Sequence, residues 1–131
     1  MSRKRILLVD DDPAVARRLG AAIERAGHYD VRTETNGALA LAAALEFRPD
    51  VVLLDVLMPG IDGGEVAAAL ERHPDLEGVP IAFLTGLIEP GELGAGVTDM
   101  RGRRIISKPI DAFELVAVLR ELCETTTDFS R

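Results

Sequence analysis

The chain has 131 residues, of which 47% are hydrophobic and 28% are charged. This length and composition are typical of one globular domain and exclude disordered and low-complexity proteins. The net charge of −7 argues against nucleic-acid binding by this domain alone, because such binding needs a basic face that neutralises phosphates. The single cysteine excludes a disulfide framework and a thiolate metal cluster. Because the apolar run near the N-terminus is too short for a signal peptide or a membrane span, we expect a cytoplasmic protein with no membrane partner.

The first predicted strand is the uninterrupted apolar run at residues 6–9, which is typical of a strand buried on both faces of a parallel sheet. Asp12 and Pro13 then combine an N-cap residue with a proline at the first helical position, which predicts a helix that ends at Gly27. Residues 29–34 alternate in polarity, which predicts an exposed edge strand. The apolar stripe of the helix is Val15, Leu19, Ala22, Ile23 and Ala26.

Asn36 is predicted to begin the second helix. Residues 51–54 and 81–84 are two further uninterrupted apolar runs, and they predict the third and fourth strands. Between them, Asp62 and Glu65 have the spacing of a capping box, which predicts the start of a third helix. The buried face of the second helix is predicted to comprise Ala38, Leu41, Ala42 and Leu45.

The stretch 89–102 contains four glycines and a proline. Because each interior glycine costs a helix about 1 kcal/mol relative to alanine, we predict that the fourth helix is short or irregular. Residues 105–106 predict a fifth strand, and Asp111 with Glu114 forms a second capping box that predicts a last helix. That helix is predicted to bury Leu115, Leu119 and Leu122. The polar residues 125–131 are predicted to be a disordered tail.

Five strands that alternate with five helices predict an α/β fold, a doubly wound parallel sheet with helices on both faces. Right-handed crossovers and a polar second strand at the edge favour the strand order 2-1-3-4-5. In such sheets the functional crevice lies at the carboxyl ends of the strands. The residues that follow each strand are therefore the candidates for function.

Four of the five predicted strands end in residues with useful chemistry: the first in Asp10 and Asp11, the third in Asp55, the fourth in Thr85 and the fifth in Lys108. Taken alone, the aspartates fit a solvated strand end, and Thr85-Gly86 and Lys108-Pro109 fit exposed turns. Together they predict three carboxylates, a hydroxyl and an ammonium in one cleft. Carboxylates so close repel one another unless a cation lies among them, and an oxygen-only ligand set favours Mg²⁺.

Four segments together resemble the receiver domain of two-component response regulators, in the CheY-like superfamily. They are Val-Asp-Asp-Asp-Pro at 9–13, Leu-Asp-Val-Leu-Met-Pro-Gly at 54–60, Leu-Thr-Gly at 84–86 and Ser-Lys-Pro at 107–109. The resemblance spans residues 4–124, which we interpret as one receiver domain, and it implies a flavodoxin-like fold.

The resemblance implies a role for each residue at the strand ends. Asp55 would be the phosphoacceptor, Thr85 and Lys108 would contact the phosphoryl group, and the bond between Lys108 and Pro109 would be cis. Asp11 would bind Mg²⁺ directly, Asp10 mainly through water. The implied magnesium ligands are Asp10, Asp11, Asp55 and the backbone carbonyl of Leu57.

The implied function is to receive a phosphoryl group from a sensor histidine kinase or a histidine phosphotransfer protein, and to switch a surface read by a downstream protein. Such a domain is not an enzyme in its own right, although it assists its own phosphorylation and dephosphorylation. We expect a monomer or a weak dimer.

Two alternative functions remain open at this point. The first is a Mg²⁺-dependent aspartyl phosphohydrolase, but that class has an acid–base aspartate two residues after the nucleophile, where this chain has Leu57. The second is a receiver-like interaction domain that acts without phosphorylation. It is favoured by Ile105, which stands where the family has a mobile aromatic residue, and by the weak fourth helix.

Overall fold

The computed structural model describes residues 3–58, 60–85, 97–100, 103–107 and 112–129. The described strands are β1 (Lys4–Val9), β2 (Tyr29–Glu34), β3 (Val51–Asp55), β4 (Leu57–Met58), β5 (Ile61–Asp62), β6 (Ile81–Thr85), β7 (Val97–Met100) and β8 (Arg103–Ser107). The described α-helices are α1 (Pro13–Arg25), α2 (Ala40–Phe47), α3 (Gly63–Arg72) and α4 (Ala112–Phe129). None of these helices is both long enough and apolar enough to cross a lipid bilayer.

One sheet carries six of the strands in the order β2-β1-β3-β6-β8-β7. The first five of these are parallel, and their order confirms the predicted doubly wound topology, with the polar strand β2 at the edge. Strands β4 and β5 form a separate antiparallel hairpin directly after β3. The carboxyl ends of β1, β3, β6 and β8 therefore meet along one edge of the sheet.

The sheet separates two apolar clusters, because successive side chains of a strand point to opposite faces. On one face, the α2/α3 core contains Leu54 and Phe83 together with buried residues of α2 and α3. On the other face, the α1/α4 core contains Leu53 together with Ile23 of α1 and Leu119 of α4. The uninterrupted apolar runs are explained by this arrangement, since both faces of the central strands are covered.

Helix α1 begins and ends as its sequence predicts. The side chain of Asp12 accepts hydrogen bonds from the backbone N–H groups of Ala14 and Val15, at 3.0 and 3.3 Å. Pro13 occupies the first helical position, where its missing N–H costs no helical hydrogen bond. Gly27 follows the helix with a φ of 90°, a conformation that favours glycine.

The predicted buried face of the second helix is half right, since Leu41 and Leu45 are partly buried against the α2/α3 core. Ala38 and Ala42 are exposed, and the fully buried positions are Ala40, Ala43 and Ala44. Asn36 does cap the element, but its first turn, Gly37–Leu39, is a 3₁₀-helix. A 3₁₀ turn has about 3.0 residues instead of 3.6, so the apolar stripe that follows is rotated relative to the predicted one.

Of the stretch 89–102, where the sequence predicts a short or irregular fourth helix, the structure describes residues 97–100. These residues form strand β7, which pairs antiparallel with β8 at the edge of the sheet. Val97 and Thr98 are β-branched and favour a strand, and the glycines before them disfavour a helix. Residues 86–96 and 101–102 lie outside the described part of the chain.

The last helix is longer than predicted. Helix α4 continues to Phe129, so residues 125–129 extend it, in place of the disordered tail that their polarity led us to expect. Leu115 and Leu119 are fully buried and Leu122 is half-buried, which confirms the predicted apolar face.

Candidate functional site

Strands β1 and β3 place two buried carboxylates side by side. Val9 pairs with Leu54 in the parallel register, so the next residues along the two strands, Asp10 and Asp55, lie next to each other at the carboxyl edge. Asp10 is 0% exposed and Asp55 is 4% exposed, and they are the buried charged residues of the described chain. Burial of a carboxylate is costly unless hydrogen bonds or opposite charge stabilise it.

Hydrogen bonds to backbone groups hold both Asp10 and Asp12 in place, but the two side chains have different partners. The Asp12 N–H donates to the Oδ1 atom of Asp10 at 3.0 Å, and the Asp10 N–H donates to the Glu34 carbonyl at 3.1 Å. Asp11 is exposed, and the Asp12 side chain caps α1. The capping role that the sequence predicts for Asp12 is therefore confirmed.

Asp10, Asp11 and Asp55 form a carboxylate cluster. Each contributes one carboxylate oxygen, and these oxygens lie within 4.8 Å of one another. With metal–oxygen distances of ~2.1 Å, two oxygens bound to one Mg²⁺ are about 3.0 Å apart when adjacent and about 4.2 Å apart when opposite, so the three side chains would have to move closer together to share this ion. The donor set is oxygen alone and carries three negative charges, which fits a hard divalent cation.

The segment after Asp55 returns immediately through the β4–β5 hairpin. Leu57 lies in β4 and pairs with Asp62, whose side chain caps α3 by accepting from the Gly64 and Glu65 N–H groups. Leu57 is thus held two residues beyond Asp55, the position from which its carbonyl was predicted to bind the metal. The Val56 N–H donates to the Leu84 carbonyl at 3.0 Å, which fastens this segment to β6.

The segment after Asp55 packs closely against two glycines that the sequence did not indicate, Gly63 and Gly37. A Cβ at Gly63 would lie 2.9 Å from Val56 Cα, and a Cβ at Gly37 would lie 2.9 Å from the terminal methyl of Met58. At Gly63 the neighbouring atom belongs to the backbone and cannot rotate away, so this position needs glycine, whereas at Gly37 the flexible Met58 side chain could shift to make room. The sequence signal, a glycine at each helix start, is ordinary and does not reveal this.

Of the two other predicted site residues, Thr85 and Lys108, Thr85 lies in the described part of the chain. The backbone of Thr85 ends β6 and pairs with Ser107, the last residue of β8. Lys108 lies outside the described residues, as does the predicted cis bond between Lys108 and Pro109. Ile105 is 5% exposed and packs in the α2/α3 core.

The sequence and the fold of this chain are similar to those of known proteins. A sequence model of the response regulator receiver domain matches residues 6–120. The chain is 34% identical over 122 residues to the DNA-binding dual master transcriptional regulator RpaA of Synechocystis sp., covering 93% of this chain and 50% of that protein. It is 39% identical over 122 residues to the response regulator PleD of Caulobacter vibrioides, covering 90% of this chain and 26% of that protein. The chain therefore spans half or less of the length of these curated relatives.

A solved structure is similar over nearly the whole length. The crystal structure of a putative response regulator from Chloroflexus aurantiacus superposes with a TM-score of 0.77 at 31% identity, covering 94% of this chain and 99% of that one.

Proposed function

Because the chain belongs to the response regulator receiver domain family, we propose that it is the phosphoacceptor module of a two-component system, with Asp55 as the residue that is phosphorylated. The observation that carries this proposal is the carboxylate cluster at the carboxyl edge, where Asp55 lies beside Asp10 and Asp11.

A carboxylate oxygen of Asp55 would attack the phosphorus of the donor, and the bond from phosphorus to the donor nitrogen would break as the new bond forms. The product is an acyl phosphate on Asp55, and the donor leaves with the electron pair of the broken bond. The backbone of Asp55 is held in place, because β3 pairs on both sides, with β1 and with β6. A fixed nucleophile reduces the entropy cost of reaching the transition state.

The residues that would hold the metal are Asp10, Asp11, Asp55 and the Leu57 carbonyl. When bound there, Mg²⁺ supplies positive charge that offsets the negative charge of the phosphoryl oxygens. Asp10, which is buried and accepts a hydrogen bond from the Asp12 N–H, would orient the ligand set. Thr85 would donate its hydroxyl to a phosphoryl oxygen, and Lys108 would offer its ammonium to another.

We propose a sensor histidine kinase or a histidine phosphotransfer protein as the phosphoryl donor, a protein as the downstream partner, and the cytoplasm as the location. Phosphorylation would replace one negative charge at position 55 by about two and add acceptor oxygens. The output would be a change of surface, and the domain would have no turnover of its own substrates. Ile105 is buried and aliphatic, so the switch would proceed without a rotating aromatic side chain.

Incubation with Mg²⁺ and acetyl phosphate, followed by intact mass measurement, tests the proposal. We expect the mass of one phosphoryl group to be added, and fragmentation to place it on Asp55. No added mass at millimolar acetyl phosphate, or a modification on another residue, would contradict the proposal and favour an interaction domain that acts without phosphorylation. Turnover of small phosphate esters would favour the phosphohydrolase.

We also expect Mg²⁺ to raise the melting temperature of the unphosphorylated protein. A ligand that binds only the folded state adds RT ln(1 + [L]/Kd) to the free energy of unfolding, or about 1.4 kcal/mol at ten times Kd. Asp11→Asn should remove most of this increase, because Asp11 is the proposed direct ligand of the ion. The variant should still fold, because Asp11 is exposed and its substitution leaves the packing intact. Calorimetry with and without the ion measures it. An equal Mg²⁺-dependent shift in this variant would place the ion elsewhere.

A further inference from the structure

A groove runs along the surface between α1 and α4. Its apolar lining consists of small or β-branched side chains, which leave room between the helices: Ala22, Ala26, Val116 and Ala117. Arg25 and Arg120 line the groove from the two helices, and Phe113 completes the lining. The volume of the groove is about 320 Å³, and its walls are otherwise apolar.

Phe113 is exposed to an unusual degree for a phenylalanine. It is 85% exposed, whereas the other large exposed hydrophobic residue of the described chain, Leu39, is 49% exposed and lies elsewhere. A single exposed apolar residue needs no explanation, but an aromatic ring beside an apolar groove forms a patch of the kind that marks interaction sites. Phenylalanine in such a setting is a typical anchor of protein interfaces.

The charges at the groove are all positive, although the chain as a whole carries −7. No acidic residue is among the lining residues, and within the described part of the chain the side chains of Arg25 and Arg120 form no hydrogen bond or ion pair. Other arginines behave differently, since Arg104 pairs with Glu121 across the surface. Two unpaired guanidinium groups beside an apolar groove favour a partner that brings carboxylates.

The lining also determines which backbone conformation fits the groove. All lining residues belong to α1 and α4 or directly follow α1, and the interior of a helix already satisfies its own backbone hydrogen bonds. An extended peptide gains its affinity from a free strand edge, which this groove does not offer. An amphipathic helix brings no unpaired backbone groups and packs its ridges between the two helices.

We propose that the α1–α4 groove is a docking site for an amphipathic helix of a partner protein, with apolar side chains in the groove and acidic residues beside Arg25 and Arg120. Phe113 serves as the anchor on this side of the interface. The groove shares no residue with the carboxylate cluster, so the proposal does not depend on whether Asp55 is phosphorylated. A second copy of this chain is the less favoured occupant, because a symmetric contact would bring the arginines of both copies together.

Two synthetic peptides test the proposal by fluorescence anisotropy. The acidic peptide is a fluorescein-labelled helix with leucines at positions i, i+3, i+4 and i+7 and glutamates on both flanks, and the basic peptide has lysine at every glutamate position. We expect the acidic peptide to bind at least about tenfold more tightly than the basic one. Phe113→Ala should weaken its binding by a similar factor, and this change leaves the core intact because the side chain is exposed.

Charge reversal provides the sharper test. The double variant Arg25→Glu/Arg120→Glu should lose affinity for the acidic peptide and gain affinity for the basic one, with a fold confirmed by circular dichroism. Arg72→Glu, at an exposed position in the last turn of α3, is the matched control and should change neither affinity. The proposal is overturned if both peptides bind wild type equally, or if the double variant keeps the wild-type preference. It is overturned as well if sedimentation shows a dimer that Phe113→Ala dissociates, since the occupant would then be a second copy.

Discussion

Asp55→Asn should abolish the uptake of a phosphoryl group from acetyl phosphate and, in magnesium-free buffer, raise the free energy of unfolding. An amide is not a nucleophile toward phosphorus, so no acyl phosphate forms. Asparagine keeps the shape of the buried side chain but removes one of three carboxylates whose oxygens lie within 4.8 Å of one another. Two unit charges 4 Å apart repel by about 1 kcal/mol in water and about 4 kcal/mol at a protein surface. Intact mass and urea unfolding in the presence of EDTA measure the two effects.

Asp12→Asn is the matched control for this prediction. Asp12 follows the cluster directly in sequence, but its side chain is exposed and caps α1, and asparagine caps helices equally well. Phosphoryl uptake and stability should therefore both stay at wild-type values. Retained uptake in Asp55→Asn would move the nucleophile to another residue. A loss of stability in that variant would mean that hydrogen bonds to the Asp55 carboxylate outweigh the repulsion.

Gly63→Ala should lower the free energy of unfolding by about 1–3 kcal/mol, the typical cost of forcing an extra methyl group into a packed site. The new Cβ would lie 2.9 Å from Val56 Cα and 3.4 Å from the Asp55 carbonyl oxygen, and backbone atoms cannot rotate away as a side chain does. Relief requires a shift of the segment that follows Asp55. Because a displacement of ~1 Å at a reacting group can cost about 100-fold in rate, phosphorylation by acetyl phosphate should slow as well. Urea unfolding and the time course of intact mass test both effects.

Gly20→Ala adds the same methyl group at a position where there is room for it. A Cβ at Gly20 would lie 3.4 Å from side-chain methyl groups of Val31 and Thr33, which is ordinary contact. Alanine favours a helix over glycine by up to about 1 kcal/mol, so this variant should be as stable as wild type or more stable. Phosphorylation should proceed at the wild-type rate. Equal losses in the two alanine variants would mean that general crowding, and not the approach of α3 to Val56, is responsible.

The sequence predicts the central part of the fold because both faces of the sheet are covered. Strands β1, β3 and β6 consist of buried apolar residues with few exceptions, and this continuous pattern is unusual for any other element. The adjacency of Asp10 and Asp55 follows from the same pattern, since parallel strands that lie side by side end at the same edge. The four segments that resemble receiver domains add the roles of these residues.

The elements that the sequence did not predict depend on contacts between distant parts of the chain. The β4–β5 hairpin has strands of two residues, too short for any periodic pattern to appear. The constraint at Gly63 exists only because α3 approaches Val56, and the buried face of α2 is set by the 3₁₀ turn before it. Strand β7 gains its partner from β8, which local propensity does not reveal. Such effects are visible only when the elements are assembled.

The division of the interior by the sheet has a consequence for how this protein can change over evolutionary time. Leu53 and Leu54 are neighbours in sequence, yet their side chains belong to different cores on opposite faces of the sheet. Substitutions on distant, independent sites combine additively, so the two sides accumulate changes largely without interfering. During evolution, the α1 and α4 side could therefore change to fit a new partner while the acidic edge of the sheet stays the same.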